Sequence, residues 1–172
     1  AHVYERLGRE MPGLEISANN RIPHGRGMGS SGSAIVSGVM IAAGLLESDP
    51  ESPLKLSEEQ LLAFATDLEG HPDNVAPALF GGLTIAWTTP AGPKFKRLMV
   101  HRGVAPLVLV PSFTMSTALA RSLQPSQVPH EDAVFNVSRS ALLIAALTQS
   151  PELLLEATED RLHQNYRGEA MP

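Results

Sequence analysis

The sequence predicts an α+β fold, with helices covering one face of mixed or antiparallel sheets. Three observations carry this. Strand-like runs such as LEISANNRI (14–22) and LTIAW (83–87) are interleaved with apolar stretches of helical length. Proline-rich breaks punctuate the chain at ESDPESP (47–53) and TTPAGP (88–93). Finally, 172 residues, 43% of them hydrophobic and 18% charged, suffice for a real core and at most two small domains.

Taken in order, Leu14 to Ile22 opens with apolar–polar alternation and reads as a strand, and PHGRGMGSSG (23–32) as a loop. Ser33 to Leu46 reads as a helix apolar nearly all round, hence buried. Ser57 is a good N-cap, with Glu59 and Gln60 in the first turn of a helix reaching about Leu68. EGHPDN (69–74) reads as a polar turn, Val75 to Phe80 as a short helix stopped by Gly81-Gly82, and LTIAW as a strand. RLMVHRG (97–103) and APLVLVPS (105–112) read as strands, the second suited to a sheet centre. SFTMSTALARSL (112–123) should end in a short helix capped by Ser116 or Thr117. Glu131 to Gln149 reads as a long helix and Pro151 to Leu162 as another. The loop-like TTPAGP suggests a boundary dividing 1–92 from 93–172.

The net charge is −5, and no basic block or stripe is present, so nucleic acid is not an expected partner. Without cysteine there are neither disulfides nor thiolate metal sites. No apolar run is expected to span a membrane, and the charged start AHVYERLGREMPG lacks a signal-peptide core. The expected location is the cytoplasm.

RIPHGRGMGSSGSAIVSGV (21–39) concentrates glycine and serine at the mouth of an apolar helix. A helix N-terminus presents unpaired N–H groups and a positive dipole end, and glycines let an anion approach the backbone closely. Ser30 and Ser31 add hydroxyls for phosphate oxygens or a magnesium ion, and Arg26 adds positive charge. The plainer alternative is a flexible glycine turn with a serine cap. A classical P-loop would need Gly-Lys-Ser/Thr, and no lysine lies here. Gly27, Gly29 and Gly32 satisfy G-x-G-x-x-G, but the acids about twenty residues on sit in a Pro-rich loop, not at a strand end. A protein-kinase glycine loop lies between strands rather than before an apolar helix.

Four blocks, in order, resemble segments of the GHMP small-molecule kinases. They are P-x-G-R-G-x-G-S-S-x-S-A (23–34), EGHPDNVAPALFGGLT (69–84), STALARSLQP (116–125) and LHQNYRGEAMP (162–172). The last three are similar to the branch of the family whose acceptor is L-homoserine. The resemblance implies transfer of the ATP γ-phosphate to the side-chain hydroxyl of L-homoserine, a step toward threonine that relies on positioning and charge stabilisation. It implies an S5-like ATP-binding domain in 1–92 and a ferredoxin-like domain in 93–172, both incomplete. Pro23, His24, Gly25, Arg26, Gly27, Met28, Gly29, Ser30 and Ser31 would wrap the ATP phosphates. Ser30 or Ser31 would reach Mg2+ together with Glu69, since magnesium favours hard oxygen ligands. A carboxylate merely decorating a helix C-terminus would be electrostatically poor there.

By the same resemblance His71, Asp73 and Asn74 would face the acceptor, with Asn74 near the attacking hydroxyl and Asp73 the fallback base. Read without the resemblance, Asp73 or Asn74 would cap the next helix. Arg121 and Arg167 would hold the acceptor's carboxylate, which a guanidinium matches bidentately, and Thr117 would supply a hydroxyl. Judged singly, each arginine reads as a surface charge. Gly32 and Ser33 stand where relatives commonly have alanine, which weakens the first helical turn by up to about 1 kcal/mol. The family's N-terminal block and its C-terminal G-x-S-G-x-G-P block are absent. The expectation is therefore the central part of such a kinase, poorly active alone, with a homodimer left open. The competing expectations are a family member acting on another small alcohol and a non-catalytic nucleotide-binding module.

Overall fold

The computed structural model describes residues 1–110, 112 and 122–168. They divide into two units, Ala1–Pro23 with Met28–Leu98, and His24–Gly27 with the chain from Met99 onward. The first holds α1 (His2–Arg6), α2 (Ser30–Glu47), α3 (Glu58–Glu69), α4 (Pro72–Phe80) and the antiparallel hairpin β1 (Leu83–Thr89) and β2 (Gly92–Leu98).

Local chemistry sets most of these elements. Ser57 caps α3, its Oγ accepting from Gln60 N–H at 3.2 Å, while Gln60 Oε1 accepts from Ser57 N–H at 2.9 Å. Glu58 and Glu59 lie in the same first turn, where the dipole favours them. Pro72, at the first position of α4, has the φ a helix start needs and lacks an N–H that would go unpaired there. Gly81 ends α4, and the two-residue Pro90–Ala91 turn pairs Thr89 with Gly92 and Leu83 with Leu98. Phe95 of β2 stacks on Phe80 at 3.9 Å, fixing the hairpin against the end of α4. Lys94 Nζ donates to Glu59 at 2.8 Å and holds that carboxyl below its ordinary value.

The core lies between α2, α3 and α4. Val39, Leu46, Leu62 and Val75 are its fully buried large side chains, closed by Ala65, Ala76 and, from α1, Val3 and Tyr4. Helix α2 is buried along Gly32, Val36, Val39, Ala42 and Leu46, not all round, and Met40 and Ile41 face outward. By length and composition its 18 residues do pass for a membrane span, contrary to expectation. Its packed face is that of a core helix.

In the second unit α5 (His130–Thr148) is followed by a 3₁₀ turn (Pro151–Leu153) and two one-turn helices, α6 (Leu154–Ala157) and α7 (Gln164–Arg167). Phe135 of α5 lies between two guanidinium groups, Arg139 at 4.4 Å and Arg161 at 3.9 Å. Arg139 pairs with Glu159 at 2.8 Å and Arg161 with Asp132 at 3.4 Å.

Several expectations are corrected. Residues 14–22 form no strand, because no strand among the described residues pairs with them, and Asn20 instead bonds both backbone groups of Ile22. Met99–Gly103 and the described part of 105–112 form none either, leaving Leu107 and Leu109 exposed. The helix expected near Ser116–Arg121 lies outside the described residues. The stretch from Pro151 to Leu162 is no single helix but a 3₁₀ turn and one helical turn that ends at Ala157. The break between units falls at Leu98–Met99, because the expected 92/93 boundary lies inside the hairpin. No strand forms among the described residues after Leu98.

Ser57→Ala should lower stability by about 1 kcal/mol in urea unfolding, the scale of a lost cap. Gly29 and Gly32 should respond oppositely to alanine. Gly29 has φ +72°, strained for any side chain, whereas a Cβ at Gly32 would meet Asn74 at an ordinary 3.5 Å. Gly29→Ala should cost about 1–2 kcal/mol, and Gly32→Ala should gain about 0.5–1 kcal/mol.

Asp160 supplies a pH signature. Burial pushes its carboxyl up, but bonds from Gln164, Asn136 and His163 outweigh this and hold it well below the ordinary aspartate range. A depressed folded value means the stabilisation is complete above the unfolded pKa of about 3.9 and is lost as pH falls through the folded value. Unfolding midpoints should drop more steeply below about pH 4 in the wild type than in Asp160→Asn.

Candidate active site

The residues expected to wrap phosphate start in irregular backbone. Gly25, Gly27 and Gly29 all have positive φ, 65°, 70° and 72°, alternating with Arg26 and Met28. Side chains at those three positions would be strained, so glycine is required. Gly29 is the N-cap of α2, and its carbonyl already accepts from Ser33 N–H at 2.9 Å. No side chain among the described residues caps this helix. Its first-turn N–H groups keep the positive end of the dipole facing outward. Ser30 and Ser31, expected in the loop, stand instead in this first turn, where helical geometry sets the directions of their hydroxyls.

Two other helix ends converge on the same place. Glu69 is the last residue of α3, and its Oε2 accepts a long 3.5 Å hydrogen bond from Ser31 Oγ, bridging 38 positions of sequence. Gly70, at φ 92°, then turns the chain sharply into α4. His71 is the N-cap of α4, with Asp73 and Asn74 in its first turn. The expected turn at 69–74 is therefore only Gly70–His71, and neither Asp73 nor Asn74 caps α4. Each instead projects from that first turn. His71 Nδ1 is in direct contact with Asp73 Oδ1, and both Asp73 and Asn74 are exposed. Asn74 also lies against Gly32, so the N-termini of α2 and α4 are neighbours.

The structure thus brings Ser31, Glu69, His71, Asp73 and Asn74 together in the first unit. Two helix N-termini there provide electropositive backbone, and one carboxylate faces one hydroxyl. Among the described residues no three His, Asp or Glu side chains converge as a metal cage. The donor set suits magnesium nonetheless. Hydroxyl and carboxylate oxygens are hard ligands, and that ion takes one or two protein groups beside phosphates and waters.

Thr117 and Arg121 lie outside the described residues. Arg167 is the last residue of α7, in the second unit, and is half-buried. With the Gln124 amide turned so that its oxygen faces the guanidinium, that oxygen accepts from Arg167 Nε and Nη2, both at 3.2 Å. Sequence reasoning passed over Gln124 and Asp160. Only for Gln124 did a signal exist, since it lies inside the STALARSLQP block.

Comparison with known proteins bears on this arrangement. The family model described as "GHMP kinases N terminal domain" matches residues 1–82. The chain is 70% identical over 172 residues to a homoserine kinase of Leifsonia xyli subsp. xyli, covering all of this chain and 52% of that protein. It is 48% identical over 170 residues to a homoserine kinase of Streptomyces avermitilis, covering 99% of this chain and 55% of that one. The chain therefore spans about half the length of the curated relatives it matches. The crystal structure of homoserine kinase from Cytophaga hutchinsonii superposes with a TM-score of 0.71 at 27% identity, covering 87% of this chain and 48% of that one. The matched segment contains α1 to α4, with the uncapped start of α2 and the Ser31–Glu69 pair. Residues 1–82 are thus similar to a GHMP kinase N-terminal domain.

Proposed function

We propose that this chain carries the nucleotide-binding side, and part of the acceptor side, of an ATP-dependent homoserine kinase. The observation that supports this most is Ser31 meeting Glu69 beside Asn74, in a chain 70% identical to a homoserine kinase along its whole length. The ATP phosphates lie along Pro23 to Ser31, where glycine backbone and the α2 N-terminus accept negative charge at close range. Arg26 adds a cation to that loop. Magnesium, held by Glu69 with Ser30 or Ser31, supplies neutralisation of phosphate charge.

The acceptor's side-chain oxygen forms the new bond to the γ-phosphorus as the bond to the β-phosphate bridging oxygen breaks, and ADP departs with that electron pair. Asn74 orients the attacking hydroxyl, and the hydroxyl proton passes to a phosphate oxygen. Asp73, in contact with His71, is the alternative acceptor of that proton. Thr117, Arg121 and Arg167 take the carboxylate of homoserine, the guanidinium groups by paired N–H···O bonds. What this asks of the protein is positioning and charge placement, which suits helix termini better than a strong general base.

The test is ADP release by the complete gene product, with magnesium-ATP and homoserine, mevalonate, galactose or shikimate as acceptor. Homoserine alone should support release. Glu69→Gln should lower kcat by about a hundredfold or more, the scale of losing one transition-state electrostatic group. Arg121→Ala should act mainly through the homoserine KM. Release with a different alcohol would place the chain with another acceptor class. ATP binding with no release would support a non-catalytic nucleotide-binding module.

A further inference from the structure

Helix α7 is four residues long, far below what holds a helix together in water, yet it carries Arg167. Its stability comes from outside. Asp160 Oδ2 accepts from the backbone N–H of His163 and of Gln164, each at 2.6 Å. Asp160 Oδ1 accepts from Asn136 Nδ2 at 2.6 Å and touches His163 Nδ1 at 3.1 Å. Asn136, on the long helix α5, in turn accepts from Arg161 N–H at 2.8 Å through its own Oδ1. Gln164 Nε2 closes the turn on the Thr158 carbonyl at 3.1 Å, and Arg167 N–H donates to His163 O at 3.0 Å. The backbone that bears Arg167 is thereby tied to α5 by one carboxylate and one amide.

The side chain has a second anchor. With its amide turned as described above, the Gln124 oxygen occupies the Nε–Nη2 edge of the Arg167 guanidinium. Five N–H donors in a planar fork leave the other edge, between Nη1 and Nη2, for a second planar acceptor. Gln124 lies three positions after Arg121, the other arginine assigned to the acceptor's carboxylate.

We propose that Gln124 and the Asn136–Asp160 pair are positioning residues for substrate recognition, which hold Arg167 with its Nη1–Nη2 edge turned to an amino-acid carboxylate. The proposal rests on the homoserine kinase reading above. It assigns discrimination for the carboxylate to three side chains that need not touch the substrate. Asp160 sets where Arg167 starts, Asn136 sets where Asp160 sits, and Gln124 sets which edge of the fork is spent.

The test is steady-state kinetics on the complete gene product carrying Gln124→Met, Asp160→Asn or Arg167→Ala. The acceptors are homoserine and 3-aminopropanol, which is homoserine without its carboxylate. Gln124→Met keeps the side chain's length and removes the amide, and with it the acceptor oxygen. It and Asp160→Asn should each raise the homoserine KM by about tenfold or more, as misplaced recognition groups do. Both should leave the KM for ATP, and kcat at saturating homoserine, within about twofold of wild type. Their preference for homoserine over 3-aminopropanol should fall toward that of Arg167→Ala. A Gln124→Met enzyme with wild-type homoserine KM overturns the proposal. So do variants in which both KM values and kcat shift together, which marks a merely structural role. If Asp160→Asn does not fold, Gln124→Met alone decides. A wild-type protein indifferent to homoserine overturns the kinase reading and this inference together, whereas a homoserine-dependent wild type with unaffected variants overturns only the inference.

Discussion

Val39 and Leu46 of α2, Leu62 of α3 and Val75 of α4 are wholly withdrawn from water, and they can be so only if the three helices pack at fixed distances. Fully burying side chains of this size is worth roughly 1.5–3 kcal/mol each. That packing brings the start of α2 against the start of α4, with Gly32 beside Asn74, and the end of α3 within reach of Ser31. Apart from the direct His71–Asp73 contact, the polar residues of the candidate site touch one another weakly or at long range. Their common location follows from the apolar contacts beneath them.

The helix ends in this unit are treated differently. The start of α3 has two of its N–H groups satisfied by the Ser57–Gln60 capping box, and so has less reason to attract a ligand. Among the described residues, no side chain caps the starts of α2 and α4. An uncapped helix start costs stability, since its N–H groups are left to solvent. Here two such starts face one region, which is where anionic groups gain most from the dipoles. Glu69 adds an opposite charge at the same place, an arrangement that makes electrostatic sense when a cation joins phosphate and carboxylate.

The second unit is held together by other means. Ala146 and Ala157 are its buried hydrophobics among the described residues. Order in the segment after α5 comes instead from Asp160, Asn136 and the two arginines flanking Phe135. Such polar contacts are directional, so they define a geometry more sharply than a small apolar contact does.

Features written in neighbouring residues were legible in the sequence. Ser57 with Gln60, Gly81-Gly82 and the glycines before α2 each act through backbone chemistry within one turn, and each was read correctly as a start, a stop or a bend, whereas α4 was started three residues late because Pro72 was read as part of a turn. The extent of the helix at His130–Thr148 was legible for the same reason. The strands expected at 14–22 and in 99–112 were not legible, because a strand exists only with a partner to complete its ladder, and alternation cannot say whether one is present. The start of α2 was placed three residues late, since glycine and serine suit a loop as well as a first turn. Tertiary packing alone decided that Ser31 meets Glu69 across 38 residues and that Asn136 meets Asp160 across 24. The sequence by itself determined which polar residues and glycines stand near the ends of its helices. Which of them share one site was decided by burial, an energy that belongs to the packed whole and to no local stretch of chain.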